Sequence, residues 1–267
     1  GGLSCGNAGE SSNFLCYRAL RLNYYAVTGL LARVCLYAGQ RENAFNYSTE
    51  VIKASNNGIF PFVDRSLVNG TAQDPDRIFS PEVLFALSDS QRGELFEEYF
   101  DPSLAPNMVF RMETDLLEQT IYGGTGTGGN LDDYRCRSNW ISSGSARYFY
   151  KYSDMTESGR IENTMIPLLR LGEMYLIAAE SQSNSLANGV SYINTLRKNR
   201  GVSNLQTLTT TLLQYEYIRE VYGEGQLFFM YKRMYSSIIR SNSATNNPAP
   251  SNAVFVVPLP DTETENR

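Results

Sequence analysis

The 267-residue sequence contains no histidine. Histidine is the side chain used most often for proton transfer near neutral pH, and it is also the commonest metal ligand in proteins. A Gly-x-Ser-x-Gly nucleophile motif and a histidine-based triad are missing as well. These absences make an enzyme and a histidine-ligated metal site less expected, and the sequence assigns no catalytic residue, no metal site and no cofactor.

Long apolar runs and long basic runs are also missing. No stretch of about 18 consecutive apolar residues occurs, so no segment is predicted to span a membrane as a helix. The chain has 23 Lys and Arg against 28 Asp and Glu, for a formal net charge of -5. Because phosphate neutralisation needs clustered cations, this balance argues against nucleic acid as a partner.

Cysteine is sparse and shows no Cys-x-x-Cys pair. The four cysteines are Cys5, Cys16, Cys35 and Cys136. This spacing indicates neither a zinc site nor a redox motif. Cys5 and Cys16 could close a small disulfide in an oxidising compartment, or all four could be separate thiols, and the spacing leaves both possibilities open.

Aromatic residues are plentiful by contrast, with 18 Tyr and 13 Phe beside a single Trp. A chain of this length with 42% hydrophobic residues can bury a sizeable core. Aromatic side chains supply core area, and they also offer flat faces on which sugar rings stack.

Two segments predict antiparallel helical hairpins. In residues 13–57, small and apolar residues recur at helical spacing on both sides of Gly39, namely Leu22, Tyr25, Gly29, Ala32, Leu36, Ala44, Tyr47, Val51 and Ile52. The string LYAGQRENAFNYSTEVI resembles half of a tetratricopeptide repeat. A related arrangement returns at 169–201, within a predicted helical core at 160–240. Two hairpins are too few for a free-standing solenoid, so they must pack on missing repeats or on the segment between them.

That intervening segment, residues 58–155, is predicted to be irregular and loop-rich. Short strand-like runs occur at 82–87 and 146–152, a helix-like pattern at 108–121, and a loop at 122–140. The glycines of this loop form a literal G-x-G-x-x-G, but carboxylates follow where an anion would have to bind, which favours a surface loop. Residues 241–267 are predicted to be an extended tail.

The same loop supplies the candidate ligand-binding residues. The sole tryptophan, Trp140, lies close in sequence to tyrosines that could stack on a sugar and to polar side chains that could bind hydroxyl groups: Tyr122, Tyr134, Asp132, Asp133 and Arg135. In the alternative interpretation, Trp140 anchors the irregular segment to the helical core. Catalysis by the acid pair 132–133 is disfavoured, because neighbouring side chains diverge.

The stretch EYIREVYGEGQLFFMYKRM, residues 216–234, places a Gly-Glu-Gly inside a helical pattern. Tyr217, Val221, Phe228 and Tyr231 fit a buried helical stripe. Glu224 is predicted to make an internal ion pair or to cap a helix end. Arg219 and Arg233 are its candidate partners.

Taken in order, these blocks resemble the RagB/SusD family of surface lipoproteins from the Bacteroidetes. The first is the hairpin YYAVTGLLARVCLYAGQRENAFNYSTEVI. The others are IPLLRLGEMYLIAAES, YINTLRKNRGV and the stretch 216–234, and the tail PLPDTETENR is also similar. The residues that carry this structural signature are Arg170, Glu173, Tyr175, Glu180, Asn194, Arg197, Arg219, Glu220, Glu224, Gly225 and Arg233.

The resemblance implies a mainly α fold, with tetratricopeptide-type hairpins packed against an irregular segment that contains short strands, as a single SusD-like domain over 1–267. It also implies a cell-surface, outer-membrane protein for nutrient uptake that binds oligosaccharide and delivers it to a SusC-like, TonB-dependent transporter. Capture of a peptide or glycopeptide, or a protein-interaction scaffold, are the alternatives.

Family members are usually longer. The chain resembles their C-terminal part, and the N-terminal lipid anchor is expected to lie outside it. Cys5 follows Gly2-Leu3-Ser4, which is a poor lipidation motif, so no lipid is assigned to Cys5.

Overall fold

The computed structural model describes residues 17–69, 74–124, 126–157, 159–182, 185–237, 248–256 and 260. Within these ranges the α-helices are α1 (Tyr24–Tyr37), α2 (Arg41–Asn56), α3 (Arg92–Tyr99), α4 (Tyr134–Asn139), α5 (Leu171–Glu180), α6 (Val190–Lys198), α7 (Thr210–Val221), α8 (Leu227–Met234) and α9 (Asn252–Phe255). The strands are β1 (Val83–Ser88), β2 (Arg111–Glu113), β3 (Trp140–Ser143), β4 (Ala146–Phe149) and β5 (Met165–Arg170). The predicted mainly α fold class is confirmed.

Helices α1 and α2 form the predicted antiparallel hairpin. The side chain of Asn23 caps α1 by accepting a hydrogen bond from the backbone N–H of Ala26. Gly39 takes a positive φ of 76° at the turn, a conformation that glycine adopts without strain. Gly29 lies against Leu84 and Met174, where a Cβ would come within 3.2 Å of both side chains, so this glycine allows close packing.

Helix α5 lies at the centre of the helical layer, and all ten of its residues are buried. It contacts α1, α2, α6 and α7. A helix that is apolar all round is suited to such a position. The two hairpins therefore stack side by side, with α5 joining α1 and α2 to α6.

Two small antiparallel sheets complete the fold. Strands β1 and β5 pair with each other, and β5 leads directly into α5. Strand β4 is the centre of the second sheet, with β2 on one side and β3 on the other. The first sheet therefore connects the irregular segment to the helical layer, whereas the second lies wholly within that segment.

Several local predictions were wrong. The helix-like pattern predicted at 108–121 holds only for the second half, which forms a π-helix at Leu116–Ile121, because β2 occupies Arg111–Glu113. The predicted loop 122–140 ends in α4. Leu22 lies before α1 and is exposed. Val254 and Phe255, predicted to be extended, belong to α9. Short elements are set by the packing of their neighbours, which local patterning does not record.

Other predictions stay untested. The domain ranges remain predictions, and Cys5, Cys16 and most of the tail lie outside the described residues. Cys35 and Cys136 are free thiols. Within the part of the chain that the structure describes, no helix has both the length and the apolar character needed to cross a membrane.

Candidate functional site

A buried network of ion pairs joins five of the eleven signature residues, and Glu220 is its centre. Its carboxylate accepts hydrogen bonds from Arg135 at 3.0 Å, from Arg170 at 2.8 Å and from Arg200 at 2.7 and 3.0 Å. All four residues are almost fully inaccessible to solvent. Glu220 lies on α7, whereas the arginines come from α4, from the end of β5 and from the turn after α6. One carboxylate therefore joins four separate parts of the chain.

Glu216, one helical turn earlier on α7, is the second centre. It accepts from Arg135 and Arg219 at 3.0 Å each, and it also pairs with Arg197. Positions four apart lie on the same face of a helix, so Glu216 and Glu220 both point into the network. Arg135 contacts both carboxylates and also pairs with Asp133, so it links the two centres.

The periphery of the network reaches the short 3-10 turn just before β1 and the turn between α7 and α8. Arg200 binds Glu82 with two parallel hydrogen bonds of 2.6 and 2.7 Å. Glu224 pairs with Arg170 at 2.6 Å and with Lys151. The predicted internal ion pair of Glu224 is thus confirmed, but both predicted partners were wrong.

Arg219 and Arg233 are held elsewhere. Arg219 binds Glu216, one turn away on its own helix, and Arg233 binds Glu180 on α5. Helix α7 ends at Val221, so Glu224 lies in the turn that follows and pairs with Arg170 at the end of β5. Helical periodicity predicted Phe228 to be buried, but Phe228 is 36% exposed because the helix is interrupted between Val221 and Leu227.

The electrostatics of the network favour permanently charged side chains. Burial raises the pKa of Glu220, but the guanidinium groups of Arg200 and Arg170 outweigh burial and hold that pKa well below 4.5. The pKa of Glu216 is lowered in the same way against burial by Arg135, Arg219 and Arg197.

Burial also lowers the pKa of Lys151 to about 8, although Glu224 favours its charged form. The network therefore combines two glutamates whose pKa values are lowered with a lysine that loses its proton at a lower pH than an exposed lysine does.

Packing around the network is tight. A Cβ on Gly172, the second residue of α5, would lie 2.1 Å from Oε1 of Glu220, so only glycine fits there. The ring of Phe79 faces the guanidinium groups of Arg200 and Arg170, at 4.5 and 5.7 Å from its centroid.

The remaining signature residues lie outside the network and also make structural contacts. Glu173 binds Arg33 of α1 at 2.6 Å, and Glu180 accepts from the hydroxyl of Tyr217 at 2.9 Å. The side-chain amide of Asn194 donates a hydrogen bond to the carbonyl oxygen of Leu205 and accepts one from its backbone N–H. Tyr175 is buried in the core, and Gly225 has a positive φ of 74° in the turn before α8.

The chemistry open to the network is limited. Each of its carboxylates is held by at least one guanidinium group, so none is a free base at neutral pH. Among the residues the structure describes, no three Cys, Asp or Glu side chains are grouped so that they could hold a metal ion. The arrangement is suited to holding chain segments together.

The six predicted ligand-binding residues are divided between several environments. Asp133 and Arg135 belong to the buried network. Tyr122 is buried in the main core, and Trp140 is 7% exposed, with Phe149 at 5.0 Å between ring centroids. The assignment of these residues to a ligand stays a prediction, since no ligand contact tests it.

Only two of the six reach the surface to any extent. Asp132 is exposed and pairs with Arg137 at 2.7 Å, and Tyr134 is half-buried with its ring beside Gly201. Asp132 precedes α4, and Tyr134 is the first residue of this helix. The surface around α4 is therefore the part of the predicted site that a ligand can reach.

The aromatic cluster around Trp140 reaches solvent at another residue. Phe149 is its centre, and Phe110 packs against Phe149 and Tyr222, with ring centroids 5.9 Å apart in both cases. Phe110 is 43% exposed. Sequence reasoning missed Phe110, because it lies far from Trp140 along the chain. The only local signal was an apolar residue just before a strand.

The stacked hairpins and the loop-rich insert together define a mainly α protein of tetratricopeptide type. The model of the SusD family matches residues 89–254, and the chain belongs to that family. A comparison with curated proteins found no match.

Solved structures share the fold at low sequence identity. A SusD-like carbohydrate binding protein from Bacteroides vulgatus is 18% identical with a TM-score of 0.64, and the match covers 92% of this chain and 59% of that one. A SusD superfamily protein from the same species is 22% identical with a TM-score of 0.63, covering 92% and 57%.

A laminarin binding SusD-like protein is 17% identical with a TM-score of 0.52, covering 80% and 55%. The chain thus spans less than three fifths of the length of these three structures. The predicted family and the SusD-like fold are confirmed.

Proposed function

We propose that this chain is the ligand-binding part of a cell-surface protein that captures an oligosaccharide and delivers it to a SusC-like, TonB-dependent transporter in the outer membrane. Membership of the SusD family, matched over residues 89–254, is the observation that carries the proposal. Two relatives of the same fold are named for binding carbohydrate or laminarin, which supports a sugar as the ligand class. Attachment to the membrane is proposed through a lipid on polypeptide outside this chain.

The proposed activity is binding and not catalysis. Glycoside hydrolysis needs two carboxylates that converge on one bond, one of them protonated at working pH. Glu216 and Glu220, which converge within the buried network, are inaccessible to solvent and have lowered pKa values. Recognition is therefore proposed to use aromatic stacking and hydrogen bonds without a metal or cofactor.

The proposed stacking surface is Phe110. A sugar ring presents an apolar C–H face that packs on an exposed aromatic ring, and such a ring binds best when its orientation is held by neighbours. Phe110 meets both conditions, since it is 43% exposed and is supported by Phe149 and Tyr222. Asp132 and Tyr134 remain proposed contacts at the separate surface around α4.

Isothermal titration calorimetry with laminarin oligosaccharides and a panel of other glycans would test the proposal. We expect Phe110→Ala to weaken the binding of the recognised glycan by about fivefold, since an aromatic contact contributes on the order of 1 kcal/mol. Phe229→Ala is the matched control, because Phe229 is 49% exposed and lies on α8.

Two negative results have different meanings. If no glycan binds, the ligand class is wrong and peptide digests become the next ligands to test, while the family assignment stands. If a glycan binds and the two variants behave alike, the ligand class stands and the assignment of Phe110 is wrong.

A further inference from the structure

Buried polar atoms without a hydrogen-bond partner are concentrated beside the start of α3. Among the residues that the structure describes, five buried side-chain atoms have no partner in the protein, and three of them are Oδ1 of Asp76, Nε of Arg77 and Nε of Arg92. Asp76 and Arg92 are each only 3% exposed. Native proteins leave few buried polar atoms unpaired, so three at one place indicate a partner from outside the chain.

The side chains of Asp76 and Arg92 are fixed by their other atoms. Oδ2 of Asp76 accepts hydrogen bonds from the backbone N–H of Ser80 at 2.8 Å and from its hydroxyl at 2.7 Å. Nη1 of Arg92 donates to the carbonyl oxygens of Glu162 at 2.6 Å and Met165 at 3.0 Å. Rotating either group towards a new protein partner would break these bonds, so Oδ1 and Nε stay where they are.

The three residues line one small cavity, together with Lys151 and Glu162 among others. Its volume is about 10 Å³, measured as the space open to the centre of a water-sized sphere. On this measure about 10–15 Å³ is needed to hold one water molecule. The cavity therefore has room for one water, whereas a phosphate or a sugar ring does not fit.

The chemistry of the lining also selects an uncharged ligand. Oδ1 of Asp76 needs a hydrogen-bond donor, whereas Nε of Arg77 and Nε of Arg92 each need an acceptor. A water molecule both donates and accepts. A chloride ion would accept from the two arginines but would meet the carboxylate of Asp76, and a cation would meet the two guanidinium groups.

The protonation of Asp76 is consistent with a donor at this place. Burial raises the pKa of Asp76, and the hydrogen bonds from Ser80 oppose that rise. A further hydrogen bond donated to Oδ1 would stabilise the charged carboxylate in the same way.

We propose that this cavity binds one structural water molecule, which donates a hydrogen bond to Oδ1 of Asp76 and accepts hydrogen bonds from Nε of Arg77 and Nε of Arg92. The water joins the stretch 75–78 to the first residue of α3. It lies beside Lys151, the partner of Glu224 at the periphery of the buried network. One water thus completes the polar contacts of three neighbouring segments. We call it the cavity water.

A high-resolution crystal structure of the protein, grown once from chloride and once from bromide, tests the proposal directly. We expect an ordered solvent peak within about 3.2 Å of Oδ1 of Asp76 and of both Nε atoms, with no anomalous signal at the bromine edge. An anomalous peak at this position assigns the site to a halide ion and overturns the proposal. The proposal is equally wrong if no peak is present.

Magnetic relaxation dispersion of the water oxygen tests the site in solution, because it counts water molecules with long residence times. Asp76→Asn turns the inward acceptor into a donor, and we expect it to remove about one long-lived water. Asp64→Asn is the matched control, since Asp64 also accepts from the N–H and the hydroxyl of a serine, Ser66 at 2.8 and 2.6 Å, but is exposed.

The control variant is expected to keep the number of long-lived waters found in the unsubstituted protein. Arg77→Met removes one donor at nearly constant side-chain length, and it serves if Asp76→Asn does not fold. An equal count in the unsubstituted protein and in the folded cavity variant overturns the assignment of the water to these side chains.

Discussion

Glu220→Gln is the sharpest test of the buried network, because it keeps the shape of the side chain and removes its charge. The network contains six cationic residues (Arg135, Lys151, Arg170, Arg197, Arg200 and Arg219) and five carboxylates (Glu82, Asp133, Glu216, Glu220 and Glu224). The substitution leaves four carboxylates among the same six cations. Arg135, Arg170 and Arg200 each lose one partner and keep another.

The expected magnitude follows from this geometry. Removing one partner of a fully buried ion pair costs about 3–5 kcal/mol, chiefly because the remaining charge is left poorly compensated in a medium that excludes water. That is a large share of the roughly 5–15 kcal/mol by which a folded domain is stable. The midpoint of urea unfolding is therefore expected to fall by about 1–2 M at an unchanged slope.

Urea unfolding at pH 7, followed by circular dichroism, measures the effect. Glu97→Gln is the matched control, since Glu97 is an exposed glutamate of α3, and its effect is expected to stay within about 0.5 kcal/mol. Glu224→Gln, at the periphery of the network, is expected to destabilise in the same direction by about 1–3 kcal/mol and serves if Glu220→Gln does not fold. A shift for both network variants no larger than that of Glu97→Gln would refute the reasoning.

Three further outcomes are expected. Gly172→Ala should destabilise by about 2–3 kcal/mol in the same assay because its Cβ meets Glu220, whereas Gly93→Ala in α3 should stay within about 1 kcal/mol. Thermal unfolding should change little with pH between about 5.5 and 7, because the chain lacks histidine and Lys151 stays largely protonated below its pKa of about 8. The folded pKa values of Glu216 and Glu220 lie below 4.5, so their stabilisation is complete above pH 4.5 and is lost as the pH falls towards those values. Iodide should quench the emission of Trp140 poorly, because its ring is buried between Phe149 and Tyr222.

The family signature is mainly a description of the buried network and its surroundings. The signature block at 216–234 resembles an active site in composition, with acids, arginines and aromatic residues. In the fold, its charged residues bind α4, β5, α5 and the turn after α6, and none of its carboxylates is free. The block therefore specifies architecture, and the proposed ligand contact lies outside it at Phe110.

The periodicity of the sequence determined the helical hairpins. Ala32, Ala44 and Val51 are fully buried where the spacing places them, because the faces of a helix repeat every few residues and are a local property of the chain. The family resemblance likewise rests on ordered local blocks. These features needed no knowledge of distant neighbours.

The ion-pair partners and the burial of the loop residues were decided by the tertiary structure. Glu224 meets Arg170 across 54 residues, and Arg135 meets Glu220 across 85, so no local pattern records either contact. The sequence predicted Asp133 and Trp140 to be ligand-binding residues of a polar, glycine-rich loop, and it left open that Trp140 anchors this loop to the helical core. They are buried because α7 and β4 pack over them, and the free energy of a charge or a ring depends on what surrounds it in space.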